Sequence, residues 1–308
     1  MSSTGILVVG SVNMDMVVKT SAFPRPGETV FGSSFGMFPG GKGANQAVSA
    51  AKLGGRVTFV GKMGNDVFCQ TLLESMKRDG VRLHHVLRDP VESTGTALIT
   101  VDRRGENEIV VASGSNMKLS VQDIRKKDAL LRSAGVLLLQ LEIPLATVEY
   151  AAHRAHQGGA VVILNPAPAR KLPATLLRVV DYLTPNENEL ATLTGQPTGK
   201  LKEIKAAARR LLQKGVKNVV VTLGSRGALL VTPETEKLYP ALIVTAVDTT
   251  AAGDAFNGAL AFSLAAGSGL DQSMHYANAV AAFSVGKMGA QGSMPTKKEM
   301  AAFRRNHS

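Results

Sequence analysis

Short runs of apolar, β-branched residues recur along the chain at intervals that leave room for a helix between them. "GILVVG", "RVTFVG", "GVLLLQL", "AVVILN", "VDYLTP" and "NVVVTLG" are such runs, each followed within a few residues by a helix-like segment. None alternates with polar residues, which is the pattern of strands covered on both faces. The rhythm predicts an α/β fold with three layers, α/β/α, built on a doubly wound, mostly parallel sheet.

Two stretches depart from the rhythm. "NMDMVVKTSAFPRPGETVFGSSFGMF" holds two short strand candidates around a turn with Pro and Gly, and "GTALITVDRRGENEIVVAS" predicts a hairpin turning at Arg103 to Glu106. Together they predict a small second β-sheet over one edge of the main one. It reads as a lid inserted at about 14–38 and 95–113 of a single domain spanning 1–308. No linker, low-complexity tract or tandem repeat marks a second domain.

With 308 residues, 44% of them hydrophobic, the chain can bury a substantial core, which excludes overall disorder. No apolar run approaches the roughly 20 residues that span a bilayer. "ILVVG" is too short for a signal peptide and lacks its basic flank, so no membrane partner and a cytoplasmic location are expected. The single cysteine, Cys69, excludes an internal disulfide and a cysteine-based zinc site; it reads as a buried thiol in a reducing compartment. A formal charge of +11 raises the question of nucleic acid. The basic residues are scattered, however, and Trp is absent, so no nucleic-acid partner is expected; a small polyanion such as ATP suits the charge as well.

In an open parallel sheet, ligands bind beyond the carboxyl ends of the strands. The residues that follow the apolar runs there are Asn13 and Asp15, Glu142 after "VLLLQL", Asn165 after "VVIL", Asn186 after "DYLTP", Thr222 to Gly227 after "NVVV", and Asp248 after "LIVTAV". Each alone suits a turn or a cap; their recurrence at one end points to a site. "FPGGKGANQAVSAAKLGG" sets Gly40, Gly41 and Gly43 before a helix, with Lys42 and Asn45 at its entrance. The spacing is not that of a P-loop, and no Gly-x-Gly-x-x-Gly follows the first strand. Backbone N–H groups, an ammonium and an amide suit a polyol or a phosphate, while a tight structural turn explains the glycines equally well. "TLGSRGALLVT" is a second glycine turn, with Thr222, Gly224, Ser225 and Gly227, which a plain hairpin also explains. "PNENEL" places Asn186, Glu187 and Glu189 at a helix start, where acids favour the macrodipole anyway. In "DTTAAGDAFNGAL", Asp254 is either a helix N-cap or a carboxylate acting on a ligand that the small residues admit.

Taken together and in order, "GGKGANQA", "LNPAPAR", "TPNENE", "TLGSRG" and "DTTAAGDAFNGAL" closely resemble the ribokinase, or phosphofructokinase-B-type, family of carbohydrate kinases, from about Leu7 to Pro295. The resemblance implies a core sheet of roughly nine strands with a small β lid, and transfer of the γ-phosphate of ATP to a hydroxymethyl group of a sugar. "GGKGANQA", "LNPAPAR" and the Asn13/Asp15 pair point within the family to D-ribose, phosphorylated at O5 to give D-ribose 5-phosphate and ADP. A kinase of deoxyribose, fructose or adenosine is the alternative reading. A catalytically silent sugar-binding module is a third, and the intact Asp254 speaks against it. The resemblance also implies a homodimer formed through the lid.

By the same matching, Asp254 is similar to the family's general base, and Gly253, with Ala251 and Ala252, to its N–H anion hole. Asn13, Asp15, Gly41, Lys42, Asn45 and Glu142 correspond to the sugar-binding set. There Asp15 and Glu142 accept from hydroxyls, and Asn13, Lys42 and Asn45 donate. Asn186, Thr222, Gly224, Ser225, Gly227, Gly253 and Asn278 correspond to the ATP site. Glu189 would act on Mg²⁺ through water. A K⁺ site is implied at Asp248, Thr250, Ser284, Lys287, Gly289 and Ser293, mostly through backbone carbonyls, with Asp248 and Ser293 as the side-chain candidates. Two departures stand out. The chain has "AAGD" where many members have Gly-Ala-Gly-Asp, so Ala251 keeps its N–H without a glycine's freedom, and Cys69 stands where the family usually has glycine.

Overall fold

Along the first strand, Ile6–Val9, alternate side chains enter two different cores: Ile6 and Val8 pack to one side, Leu7 and Val9 to the other. The same division runs through Val57–Val60, Val136–Leu139, Val161–Leu164 and Asn218–Thr222, which is why these strands read as unbroken apolar runs. The computed structural model describes residues 4–306. One face of the sheet is covered by the helices Lys42–Lys52, Val67–Arg78, Ala252–Ala265 and Leu270–Ser284. The other is covered chiefly by Leu145–Gln157 and Leu201–Gln213. The result is the three-layer α/β/α arrangement with a mostly parallel sheet.

The main sheet holds eight strands rather than about nine. In order across the sheet they are Glu236–Tyr239, Ala228–Val231, Asn218–Thr222, Tyr182–Leu183, Val161–Leu164, Val136–Leu139, Ile6–Val9 and Val57–Val60. Six run parallel, and the hairpin of Ala228–Val231 and Glu236–Tyr239 adds antiparallel strands at one edge. Two of the apolar runs are therefore not followed by a crossover helix. Asn218–Thr222 turns directly into the hairpin, and Ile6–Val9 leads straight into the second sheet. The run "LIVTAV" is not a strand at all. Residues 240–248 carry no regular structure and Ile243 is 96% exposed, so an apolar sequence here lines a surface instead of a core.

The second sheet has four strands, in the order Gly32–Gly40, Asn13–Thr20, Gly95–Val101 and Asn107–Ala112. Register fixes its two faces. Asp15 lies beside Ala97, and Ala97 beside Val111; one residue along, Met37, Met16, Leu98 and Val110 form a row pointing the opposite way. Met37, Leu98 and Val110 are each more than half exposed.

Cys69 is buried, with its Sγ 3.0 Å from the Met63 Sδ, inside the helix that Asp66 caps. Among the described residues no helix is long and apolar enough to cross a membrane.

Candidate active site

Two helices meet at the carboxyl ends of the parallel strands. Lys42–Lys52 and Ala252–Ala265 pack closely because Gly258 has no side chain; a Cβ there would lie 2.5 Å from the Ser49 Cβ and 2.6 Å from the Gln46 carbonyl. That approach brings Asn45 and Gln46 to Asp254. Asn45 Nδ2 donates to Asp254 Oδ2 at 2.9 Å, and Gln46 Nε2 donates to Oδ1 at 2.9 Å. Asp254 is not the N-cap. Ala251 holds that place, and Asp254 is the third residue of the helix, 6% exposed, with its carboxylate in the first turn where the macrodipole favours an anion.

Gly41 precedes the other helix at φ 85°, and a Cβ on it would lie 2.7 Å from the Asn13 amide nitrogen and the Val12 Cα. Only glycine meets both demands. Gly43, expected before the helix, is inside it. The Lys42 backbone N–H then donates to Glu142 Oε2 at 3.0 Å, and the Ser11 hydroxyl donates to the same oxygen.

These residues enclose a cavity of about 310 Å³. Its walls include Asn13, Asp15, Gly41, Lys42, Asn45, Glu142 and Asp254, so the six residues expected at the sugar are brought together with Asp254. Ala97, Ile99, Ile109 and Val111 of the second sheet close one side. Four carboxylates around one ammonium set the electrostatics. Burial raises Asp254 above its ordinary pKa, opposed by Lys42 and by the amides of Asn45 and Gln46. Burial pushes Asp15 up to about 7, with Glu142 and Asp254 adding to the effect and Lys42 opposing it. Lys42 is in turn raised, most by Asp254, against burial and with help from Glu142, Glu189 and Asp15.

A second cleft, of about 840 Å³, adjoins the first. All seven residues expected at the nucleotide line it: Asn186, Thr222, Gly224, Ser225, Gly227, Gly253 and Asn278. Asn278 is anchored by its Nδ2, which donates to the Tyr239 carbonyl at 2.8 Å. The apolar walls, among them Leu242, Ile243, Val244, Phe256 and Ala282, were not singled out by the sequence, although "LIVTAV" contains three of them. Asn186, Thr222, Thr249, Ala252 and Gly253 belong to both cavities.

The helix start lies on that shared wall. Ala251 adopts φ 59°, ψ 14°, the left-handed well, and is alone among the described non-glycine residues in a positive φ. The Ala252 N–H points back to the Thr249 carbonyl at 3.3 Å, and the first helical bond closes from the Ala255 N–H to the Ala251 carbonyl at 2.8 Å. The N–H groups of Gly253 and Asp254 therefore face outward from the first turn, as helix geometry requires.

Asn186 and Glu189 form a reciprocal capping box at 2.8 Å each way, and both also line the smaller cavity. Burial raises Glu189, opposed by the Asn186 N–H and Lys42. The loops expected at a cation are joined as well. Asp248 Oδ2 accepts from the Gly289 N–H at 2.8 Å, its Oδ1 from the Thr250 N–H at 2.9 Å, and the Val247 and Asp248 N–H groups both reach the Val285 carbonyl. Burial works to raise Asp248, but the Thr250 side chain and these amides win and hold it low. The Ser284 and Ser293 hydroxyls donate to the Ala281 and Ala290 carbonyls, and Lys287 Nζ pairs with Glu299 at 2.7 Å. Among the described residues no three His, Cys, Asp or Glu side chains cluster as a metal site.

Similarity to known proteins agrees with this geometry. Residues 3–297 match the pfkB family of carbohydrate kinases. The chain is 40% identical over 298 residues to a ribokinase of Haemophilus influenzae, covering 97% of each chain. It is also 40% identical over 292 residues to a deoxyribokinase of Salmonella typhi, covering 94% of this chain and 95% of that one. The structure of an Arabidopsis thaliana ribokinase complexed with ribose and ATP superposes with a TM-score of 0.92 at 34% identity, covering 98% of this chain and 99% of that one. A buried carboxylate at a helix N-terminus, two adjoining cavities and a match along nearly the whole chain lead to one conclusion: the chain belongs to the pfkB family of carbohydrate kinases and is an ATP-dependent sugar kinase.

Proposed function

We propose that the protein phosphorylates D-ribose at O5, giving D-ribose 5-phosphate and ADP, with the sugar in the smaller cavity and ATP in the larger cleft. The observation that carries this reading is the shared wall at Ala252 and Gly253, beside Asp254, where the two ligands would meet. Asp254 takes the proton from the O5 hydroxyl as that oxygen attacks the γ-phosphorus, and the bond to the β-phosphate oxygen breaks. The first-turn N–H groups, that of Gly253 foremost, bear the charge that develops on the phosphoryl oxygens. Asp15 and Glu142 accept from the sugar hydroxyls while Asn13 and Lys42 donate. The second amide hydrogen of Asn45 serves the sugar, since its first is spent on Asp254.

Glu189 has the hard oxygen and the position in the cavity wall to hold Mg²⁺ through water. When bound, Mg²⁺ would neutralise phosphate charge. The joined loops at 247–250 and 284–293 suit K⁺ through their backbone carbonyls, and Asp248, whose oxygens each accept one N–H, and Ser293, which donates to Ala290, keep lone pairs for a cation. Equal turnover in K⁺ and in tetramethylammonium would refute this cation site. The strands at about 14–38 and 95–113 act as the lid, and their outer row of Met37, Leu98 and Val110 pairs with a second copy. Leu98→Lys is expected to halve the mass seen by sedimentation; an unchanged mass would count against that dimer.

A deoxyribose kinase is the competing reading, since a deoxyribokinase is as similar to the chain as the ribokinase of H. influenzae. ADP release over ribose, 2-deoxyribose, fructose and adenosine decides. A site built to bond the 2-hydroxyl favours ribose strongly, and a preference for any other member of the panel overturns the assignment. Tight binding without turnover would point instead to a silent sugar-binding module.

A further inference from the structure

Asp254 is held by two chains of amides, and their polarity runs outward from it. An ionised carboxylate only accepts hydrogen bonds. Asn45 and Gln46 must therefore both present their NH₂ groups, which leaves the carbonyl oxygen of each to accept from a further amide. Gln140 Nε2 donates to Gln46 Oε1 at 2.6 Å, and Gln291 Nε2 donates to Asn45 Oδ1 at 3.1 Å. Gln46 Nε2 also reaches Asn165 Oδ1 at 3.1 Å, so both of its hydrogens are used. Each chain ends in an orphan. Gln140 Oε1 and Gln291 Oε1 are buried with no hydrogen-bond partner among the described residues. A buried unpaired carbonyl is destabilising, and folding tolerates two of them behind one carboxylate.

Room is also cleared for the first chain. A Cβ on Gly10 would lie 2.1 Å from Gln140 Oε1, so the backbone of the first strand's end is bare where that amide rests. The second chain starts in a different element: Gln291 belongs to the short helix Ala290–Ser293, far along the sequence from Asn45.

We propose that Gln140 and Gln291 are positioning residues for phosphoryl transfer, each fixing the orientation of the amide beside it so that both donors stay aimed at Asp254. The inference rests on Asp254 being the base. Without Gln140, only the Asn165 oxygen still opposes Gln46 turning its carbonyl toward the carboxylate; without Gln291, Asn45 keeps no such second restraint among the bonds of its amide. Either turn replaces an attraction with a repulsion and moves the acceptor oxygen away from the sugar hydroxyl.

The test uses Gln140→Met and Gln291→Met, which keep length and remove the donor. Both are expected to lower kcat about 10- to 100-fold, the scale of a small misplacement of a reacting group, while the KM for ATP stays within about twofold. The acid limb of the kcat profile is expected to move to higher pH, because the donors that hold Asp254 down against burial are weakened. The charges facing Asp254, namely Lys42, Glu142, Glu189 and Asp15, are unchanged in these variants. In an Asp254→Asn background the two substitutions are expected to cost nothing further. An unchanged kcat, or the same proportional loss in both backgrounds, overturns the proposal. Near-normal turnover of Asp254→Asn alone would instead overturn the assignment of the base. If either Met variant fails to fold, the other supplies the same measurement at the opposite oxygen.

Discussion

The smaller cavity is walled by Asp15, Lys42, Asn45, Glu142 and Asp254, the larger cleft by Leu242, Ile243, Val244, Phe256 and a series of glycines. In the first, charged side chains are buried against one another and shift each other's protonation. In the second, apolar surface is more prominent, and the polar contacts come from backbone, hydroxyl and amide groups, Asn186 and Asn278 among them. On the proposed assignment, the contrast teaches that a sugar, recognised by its hydroxyls, is met by charged and amide side chains, whereas the ring of the nucleotide is met largely by apolar walls. Substitutions should therefore hurt far more on one side than on the other.

The sharpest division is expected from Asp254→Asn. It should retain the fold and ATP binding and lose turnover by about 10²–10⁴-fold, the range of a positioned acid or base, as read by steady-state ADP release. Comparable activity in that variant would erase the contrast. Asp15 gives the next largest effect. With its pKa near 7, the apo protein holds a proton there that the unfolded chain releases near pH 3.8. A raised carboxyl pKa means the native state is favoured fully below the unfolded value and loses that advantage as pH climbs through 7. Asp15→Asn is therefore expected to raise the melting temperature of the ligand-free protein at pH 8, by about 2–4 °C for each kcal/mol recovered, with the gain shrinking toward pH 4. Ribose binding to the unmodified protein should weaken as pH falls below 7, because a neutral acid has one acceptor fewer. Calorimetry at pH 5 and 8 checks both. The smallest effect falls in the cleft: Ile243→Ala is expected to raise the KM for ATP about fivefold, roughly 1 kcal/mol of apolar contact, and to leave the KM for the sugar unchanged. A loss as large as that at Asp254 would show that the cleft is as specific as the cavity.

The same division governs what the sequence made legible. Asn13, Asp15, Lys42, Glu142 and Asp254 are unusual residues for the places they occupy, at the ends of apolar runs or among glycines, and each drew notice on that account. Ile243 and Val244 stood in the sequence only as part of an apolar run before Asp248; such a run predicts burial in a strand, whereas Ile243 is open to solvent and Val244 only half-buried. Hydrophobicity alone does not say whether it faces a core or a cleft. Ser11 and Gln46 stand beside the residues that were chosen, inside "GSVNMD" and "GGKGANQA", but nothing in their spacing shows which way they point. Gln140 and Gln291 are farther still from recognition, because a chain of amides exists only once four distant segments are packed together. In the fold, the parallel strands were legible from their double-sided burial. The eighth-strand limit was not, and the antiparallel edge was legible only as the plain hairpin that "TLGSRGALLVT" also allowed, since Ala228–Val231 is as apolar as any parallel strand.

Ala251 has a meaning for the durability of the protein. A left-handed alanine costs the native state about 1–2 kcal/mol relative to the right-handed form, and glycine would remove most of that cost. Heat resistance is therefore cheap to gain at this position and is left ungained. What alanine has that glycine lacks is a narrower range of allowed backbone conformations at the helix start. A breeder of hardier variants would reach for Ala251→Gly early, and would be trading order at the point where the two cavities join.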